Sequence, residues 1–155
     1  MQEGRASRGP ARPGEDMAEL DGVFYKEIVE QSLREFPNEA CGLIAAEDGV
    51  PVRVYPMTNA DASPITYRMD AKEQFMVFDA LDEQGWEIWA FYHSHTHSEA
   101  YPSTTDLGRA HYPDGTPTYP GVRYLVLSLL DRAAPVIRSF TFADRQINEE
   151  ELIVT

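Results

Sequence analysis

The sequence predicts a single α/β or α+β domain. Its 155 residues suit one hydrophobic core and fall short of two typical domains. Apolar residues recur first at helical spacing and then in short runs broken by Gly, Pro and Asp, so helices and strands share one chain. The run Trp86-Glu-Ile-Trp-Ala-Phe-Tyr92 has the composition of a buried strand and leads directly into a cluster of histidines.

Residues 1–16 hold no large apolar side chain beyond Met1 and are rich in Gly, Pro and Arg, which reads as a disordered tail ahead of one domain over 17–155. From Asp21 to Phe36, the residues Phe24, Ile28, Val29 and Leu33 recur at helical spacing, and Pro37 stops the helix. Ala40–Ala46 is an apolar run closed by Glu47-Asp48-Gly49, and Val50–Met57 alternates as its hairpin partner. Thr58–Pro64 is polar and turn-prone, and Ile65–Met69 reads as a short strand. Asp70 with Glu73 has the spacing of a capping box for a helix through Phe75, Phe78 and Leu81, which Gly85 ends. The strand over 86–92 follows, and Ser103-Thr-Thr-Asp106 opens a short helix toward His111. After a Pro/Gly loop from Tyr112 to Gly121, Val122–Leu130 and Val136–Phe142 read as a hairpin about Asp131–Pro135, with a last strand near Ile147–Val154. There is no internal repeat.

A formal charge of -13 with pI near 4.6 argues against nucleic acid as a partner, because phosphate binding draws on clustered Lys and Arg. No apolar run approaches the roughly 20 residues that span a bilayer, and the N-terminus has no apolar signal core. The expectation is a soluble, cytoplasmic protein without a membrane association. The single cysteine, Cys41, excludes an internal disulfide and any Cys-rich metal knuckle, so a metal here must use His and carboxylates. Cys41 beside Gly42 reads as a small buried residue and not as a nucleophile.

His93, His95 and His97 share strand parity, so any adjacent pair would present two imidazoles on one face. Asp106 lies a short loop later and would complete a set of three ligands. A zinc ion held by two nitrogens and one oxygen keeps a fourth place for water, whose pKa the metal lowers to about 7. Ser103 and Asp106 also have an ordinary reading as the N-cap and third residue of a helix. Both readings fit one turn, since a helix start would hold the two side chains in fixed places. Glu39, in Pro37-Asn-Glu-Ala-Cys-Gly-Leu43, precedes an apolar strand and is the leading candidate for a base. Its alternative is a solvated acid between helix and strand. His97 reads as a solvent-facing loop residue or a neighbour of the ligands, and His111 as a surface residue near a helix end. The H-x-E and P-C-x-x-C signature of zinc nucleobase deaminases is absent.

Glu39, then His93-Ser-His95, seven residues, Ser103, two residues and Asp106 resemble the JAMM (MPN+) metalloprotease pattern. The Pro37–Leu43 run, the Pro56–Asp70 stretch and Tyr92-His-Ser-His-Thr-His-Ser-Glu-Ala-Tyr-Pro-Ser103 look like the actinobacterial Mec-type peptidases of that family, over about residues 20–150. The resemblance implies a cytidine-deaminase-like α/β sandwich with a mixed curved sheet flanked by helices. It implies one Zn²⁺ held by His93, His95 and Asp106, with Glu39 as general base and acid and Ser103 as hydrogen-bond donor to the developing oxyanion. The implied partner is a ubiquitin-like sulfur carrier protein from whose C-terminus cysteine is released. An isopeptidase acting on lysine-linked modifiers and a metal-free scaffold are the alternatives, and the scaffold is disfavoured because every motif residue is present. His97 and the enlarged loop from His111 to Gly121 depart from the pattern.

Overall fold

The computed structural model describes residues 17–155, so the expected tail over 1–16 lies outside the described residues. The elements run β1 (Met17–Leu20), α1 (Gly22–Glu35), β2 (Cys41–Glu47), β3 (Val50–Met57), α2 (Ala71–Gln84), β4 (Glu87–His95), α3 (Thr104–Arg109), β5 (Arg123–Ser128), β6 (Val136–Ala143) and β7 (Gln146–Val154). Seven strands form one mixed sheet in the order β1-β7-β6-β5-β4-β2-β3. β4–β5 and β1–β7 are parallel, and the remaining pairs are antiparallel.

A sheet that buries both faces needs apolar residues at both parities, and β2 reads Cys-Gly-Leu-Ile-Ala-Ala with every side chain buried. Ile44 and Ala46 face one layer with Ala90, Tyr92, Leu125 and Leu127, where α1 supplies Phe24, Tyr25, Ile28 and Val29. Cys41, Leu43 and Ala45 face the other with Phe91, Val126 and Phe140, covered by Val77, Phe78 and Leu81 of α2 and by Leu107 and Ala110 at α3. The two layers are separated by the sheet, which gives the expected α/β sandwich.

The pairing of β2 with β4 slips between Ile44 opposite Ala90 and Ala45 opposite Ile88, so Trp89 is an extra residue in β4. Trp89 and Ala90 therefore both lie on the α1 side, while Phe91, and with it the parity of His93 and His95, falls on the side of α2 and α3.

Several expectations need correction. β1 was not foreseen: only Ala18 and Leu20 point inward, and its parallel partner β7 is at the far end of the chain. Residues 65–69 form no strand beyond a single bridge between Asn59 and Met69. The Asn59 side chain takes over the work of a ladder there, donating to Glu39 O and Thr66 O and accepting from Asp61 N and Arg68 N. Leu33 and Phe75 lie on the exposed faces of α1 and α2, and the inward stripe of α1 instead includes Gln31 and Ser32. Gln31 is satisfied by donating to Cys41 O at 3.0 Å and accepting from Tyr92 OH at 2.5 Å. At α2, Asp70 caps Glu73 N as expected, but the Glu73 carboxylate reaches Thr58 N and Oγ1 and does not close a capping box.

Candidate metal centre

β4 continues past Tyr92 through His95, so the histidines belong to the strand and do not merely follow it. Their Nε2 atoms are 3.1 Å apart, and each is 3.0 Å from Asp106 Oδ2. Asp106 arrives from the first turn of α3, where Ser103 Oγ accepts from Asp106 N at 3.0 Å and Asp106 Oδ2 accepts from Ser103 N at 2.9 Å. The helix cap and the convergent carboxylate are thus the same turn, as the sequence allowed.

The donor set fits a cation. His95 Nδ1 lies 2.8 Å from Glu99 O, a contact that needs the proton on Nδ1 and leaves the Nε2 lone pair of a neutral ring aimed at Asp106. Two nitrogens and an oxygen then meet at 3.0–3.1 Å, close to the roughly 3.3 Å expected between ligands placed 2.0–2.1 Å from a tetrahedral ion. Without a cation a proton must take its place. Burial opposes charge on both imidazoles; it keeps His93 below its ordinary value, whereas the hydrogen bonds from His95 to Asp106 and Glu99 O carry His95 above it. Burial also opposes the Asp106 charge, yet the paired imidazoles and Ser103 N hold its carboxyl well below the usual range.

Glu39 is not the solvated acid of the alternative reading, being 3 % exposed. Its carboxylate, His93 and His95 offer ligand-type atoms within 4.8 Å of one another. Burial pushes the Glu39 carboxyl up to about 8, with His95 and Arg109 opposing and Asp106 reinforcing the shift. Its Oε1 is buried without a hydrogen-bond partner among the described residues, so one oxygen is free toward the site. Backbone ties fix the position: Glu39 N donates to Ser63 O at 2.9 Å, and the neighbouring Ala40 N donates to Ser94 Oγ at 2.8 Å. Ser94, the middle residue of the His-Ser-His run, thus ties the Glu39 segment to β4 from the opposite face.

The sequence reading missed three supporting residues: Ser94, Asn59 and Tyr67, whose ring stacks on His93 at 4.3 Å between centroids. Only Ser94 left a signal, since a small polar residue between two histidines at opposite parity faces the core. His97 is exposed and packs beside Phe36, outside the convergent set, as expected of a loop residue. His111 corrects an expectation: it is buried, with Nδ1 2.7 Å from Leu107 O and Nε2 accepting from Arg145 N at 3.2 Å, so it ties α3 to the β6–β7 turn. Cys41 is fully buried, and burial pushes its thiol up to about 12, which agrees with a packing role.

A mixed sheet between helix layers, carrying two histidines and an aspartate in contact beside a buried glutamate, defines a hydrolase of the metallopeptidase class. The chain belongs to the family of prokaryotic homologs of the JAB domain, whose model matches residues 23–143. It is 38% identical to the CysO-cysteine peptidase of Mycobacterium tuberculosis over 129 residues, which cover 82% of this chain and 84% of that protein. A protein of Desulfitobacterium hafniense solved in solution shares 32% identity and superposes with a TM-score of 0.76, covering 90% of this chain and 92% of that one. The crystal structure of a JAB1/MPN domain protein from Archaeoglobus fulgidus, at 15% identity, shares the fold with a TM-score of 0.53, covering 88% and 99%.

Proposed function

We propose that this chain is a zinc-dependent peptidase that hydrolyses the amide between the C-terminal glycine of a ubiquitin-like sulfur carrier protein and cysteine, releasing cysteine for biosynthesis. The observation that carries the reading is the buried Glu39 carboxylate beside the convergent His93 and His95 nitrogens. The likeness to a CysO-cysteine peptidase across most of both chains supports the substrate class. His93, His95 and Asp106 hold the metal. The zinc they would hold would supply Lewis acidity to the site.

The chain's own groups do the rest. Glu39 takes a proton from the attacking water on its free carboxylate oxygen and passes it to the departing amine nitrogen. A carboxyl raised toward neutrality by burial suits both halves of that transfer. Ser103 Oγ accepts from Asp106 N, which leaves its hydroxyl proton free to donate to the developing oxyanion. His95 stays oriented through Nδ1 and Glu99 O. The test is to incubate the zinc-loaded protein with a carrier bearing a C-terminal cysteine and to weigh the products. Loss of one cysteine mass, abolished by chelation, is expected. An intact adduct beside a cleaved lysine isopeptide would shift the assignment to a general isopeptidase.

A further inference from the structure

Beside the metal centre lies a cleft of about 270 Å³ whose walls include Tyr67, Arg68, Gln74, Asp106, Arg109 and Tyr119. Its volume falls below the roughly 300–1,000 Å³ of pockets that enclose drug-sized ligands, so it suits one small residue and not a length of polypeptide. The chain as a whole carries a formal charge of -13, yet two arginines stand at this cleft. Arg109 is one helical turn beyond Asp106 on α3 and uses only Nη1 in hydrogen bonds among the described residues, to Asp61 Oδ2 at 2.9 Å and Tyr67 O at 2.6 Å. Its Nη2 and Nε remain as donors. Arg68 approaches the same carboxylate, with Nε 3.5 Å from Asp61 Oδ1, and its side chain is 64% exposed. Asp61 lies between the two guanidinium groups and Asp106 is engaged by the paired imidazoles, so the unused Nη2 and Nε of Arg109 and the exposed Arg68 are the donors open to an anion at this cleft. Gln74 donates to Tyr119 OH at 3.3 Å and bounds the far side.

We propose that this cleft is a carboxylate-binding subsite for the leaving amino acid: Arg68 and Arg109 receive the free α-carboxylate adjacent to the departing amine. The proposal rests on the peptidase reading above and sharpens it. The acyl side of the substrate is the tail of a folded carrier and needs an open groove, whereas the leaving side is a single residue that ends in a carboxylate. Guanidinium groups present forked donors that match that carboxylate, and a lysine embedded in a polypeptide brings no free carboxylate to accept from them. Specificity for a terminal amino acid over an isopeptide-linked lysine is thereby set on the leaving side, by charge and by volume together.

The test uses the zinc-loaded full chain and two substrates, a carrier ending in glycyl-cysteine as the free acid and the same adduct as its C-terminal carboxamide. Wild type is expected to show a KM at least ~10-fold lower for the acid, the scale of a hydrogen bond to a charged group. Arg68→Gln should raise KM for the acid about tenfold while leaving kcat and the carboxamide KM within about twofold, and Arg109→Lys should retain more of the preference than Arg109→Gln. A second readout is independent of turnover. Protein NMR titration with S-methyl-L-cysteine, whose thioether offers no thiolate to the metal, should shift resonances of Arg68, Arg109 and Tyr119, and the carboxamide of the same probe should bind about tenfold more weakly. Equal KM for acid and carboxamide in wild type, or a preference unchanged by both Arg68→Gln and Arg109→Gln, overturns the subsite while leaving the peptidase reading in place. If neither adduct is hydrolysed, the peptidase reading fails, and equal binding of the two small probes then also overturns the subsite.

Discussion

Glu39 keeps a carboxylate where burial opposes its ionisation and where one oxygen finds no partner among the described residues. Glu39→Gln is nearly isosteric, so the variant should bind zinc at full occupancy by metal analysis yet lose about 10²–10⁴ in kcat, the usual scale for a general base. Asp106→Ala, by contrast, removes a convergent oxygen and should lower zinc content itself, measured by the same analysis after dialysis. The raised pKa has a consequence in the metal-free protein. Because the folded value of about 8 exceeds the ordinary 4.5, Glu39 contributes stability that is full below pH 4.5 and is lost as pH rises through about 8. Thermal unfolding of metal-free wild type should therefore weaken across that window relative to Glu39→Gln, and parallel pH profiles for the two proteins would remove the basis for the shift. At this scale His93, His95, Asp106, Ser103 and Glu39 were legible as candidates, because residue type and spacing limit the chemistry, and the fold brings them together. Asn59 and Tyr67 were not, because their roles depend on a loop path that no periodicity records.

The antiparallel pairing of β2 with β4 sets Cys41 opposite His93 and so brings Glu39, two residues ahead of Cys41, to His93 and His95. Gly42 permits this close approach. A Cβ at Gly42 would overlap the Tyr92 hydroxyl and meet Tyr55 O at 2.5 Å. Gly42→Ala should destabilise the fold by about 1–3 kcal/mol through overpacking, measured by denaturant unfolding, with activity per folded molecule also reduced because the Tyr92–Gln31 bond is disturbed. Elements with strong local signals were readable: α1, the β2–β3 hairpin, α2, β4 and the β5–β6–β7 series each fall within a few residues of expectation. What escaped was non-local or compensated. β1 exists because β7 offers it an edge, and the segment over 65–69 resembles a strand in composition but has its backbone groups satisfied by Asn59. Leu33 and Phe75 show the limit of periodicity in a helix with apolar residues on more than one face: packing selects the stripe, and Gln31 wins a buried place through its hydrogen bonds.

Across the whole molecule, the fold joins Glu39, Tyr67, His93, His95 and Asp106 into one site, so a metal held there would be coupled to folding. A ligand that binds only the folded state at 1,000 times its Kd adds about 4 kcal/mol of stability. Chelation should accordingly lower Tm, and added zinc should restore it in wild type but not in Asp106→Ala. No helix among the described residues is long and apolar enough to cross a membrane. The extra residue at Trp89 carries a further consequence. Strand side chains alternate sides like the steps of a walk, and two successive steps on one side change which foot lands on every later position in the sequence. Were β4 to keep every residue and its pairing with β2 before Trp89 but alternate regularly through Trp89 and Ala90, both imidazoles would enter the layer under α1, where Ile28 and Leu125 lie and no buried carboxylate is found among the described residues. The chemistry of this protein thus has a parity, and the doubled step at Trp89 and Ala90 sets it.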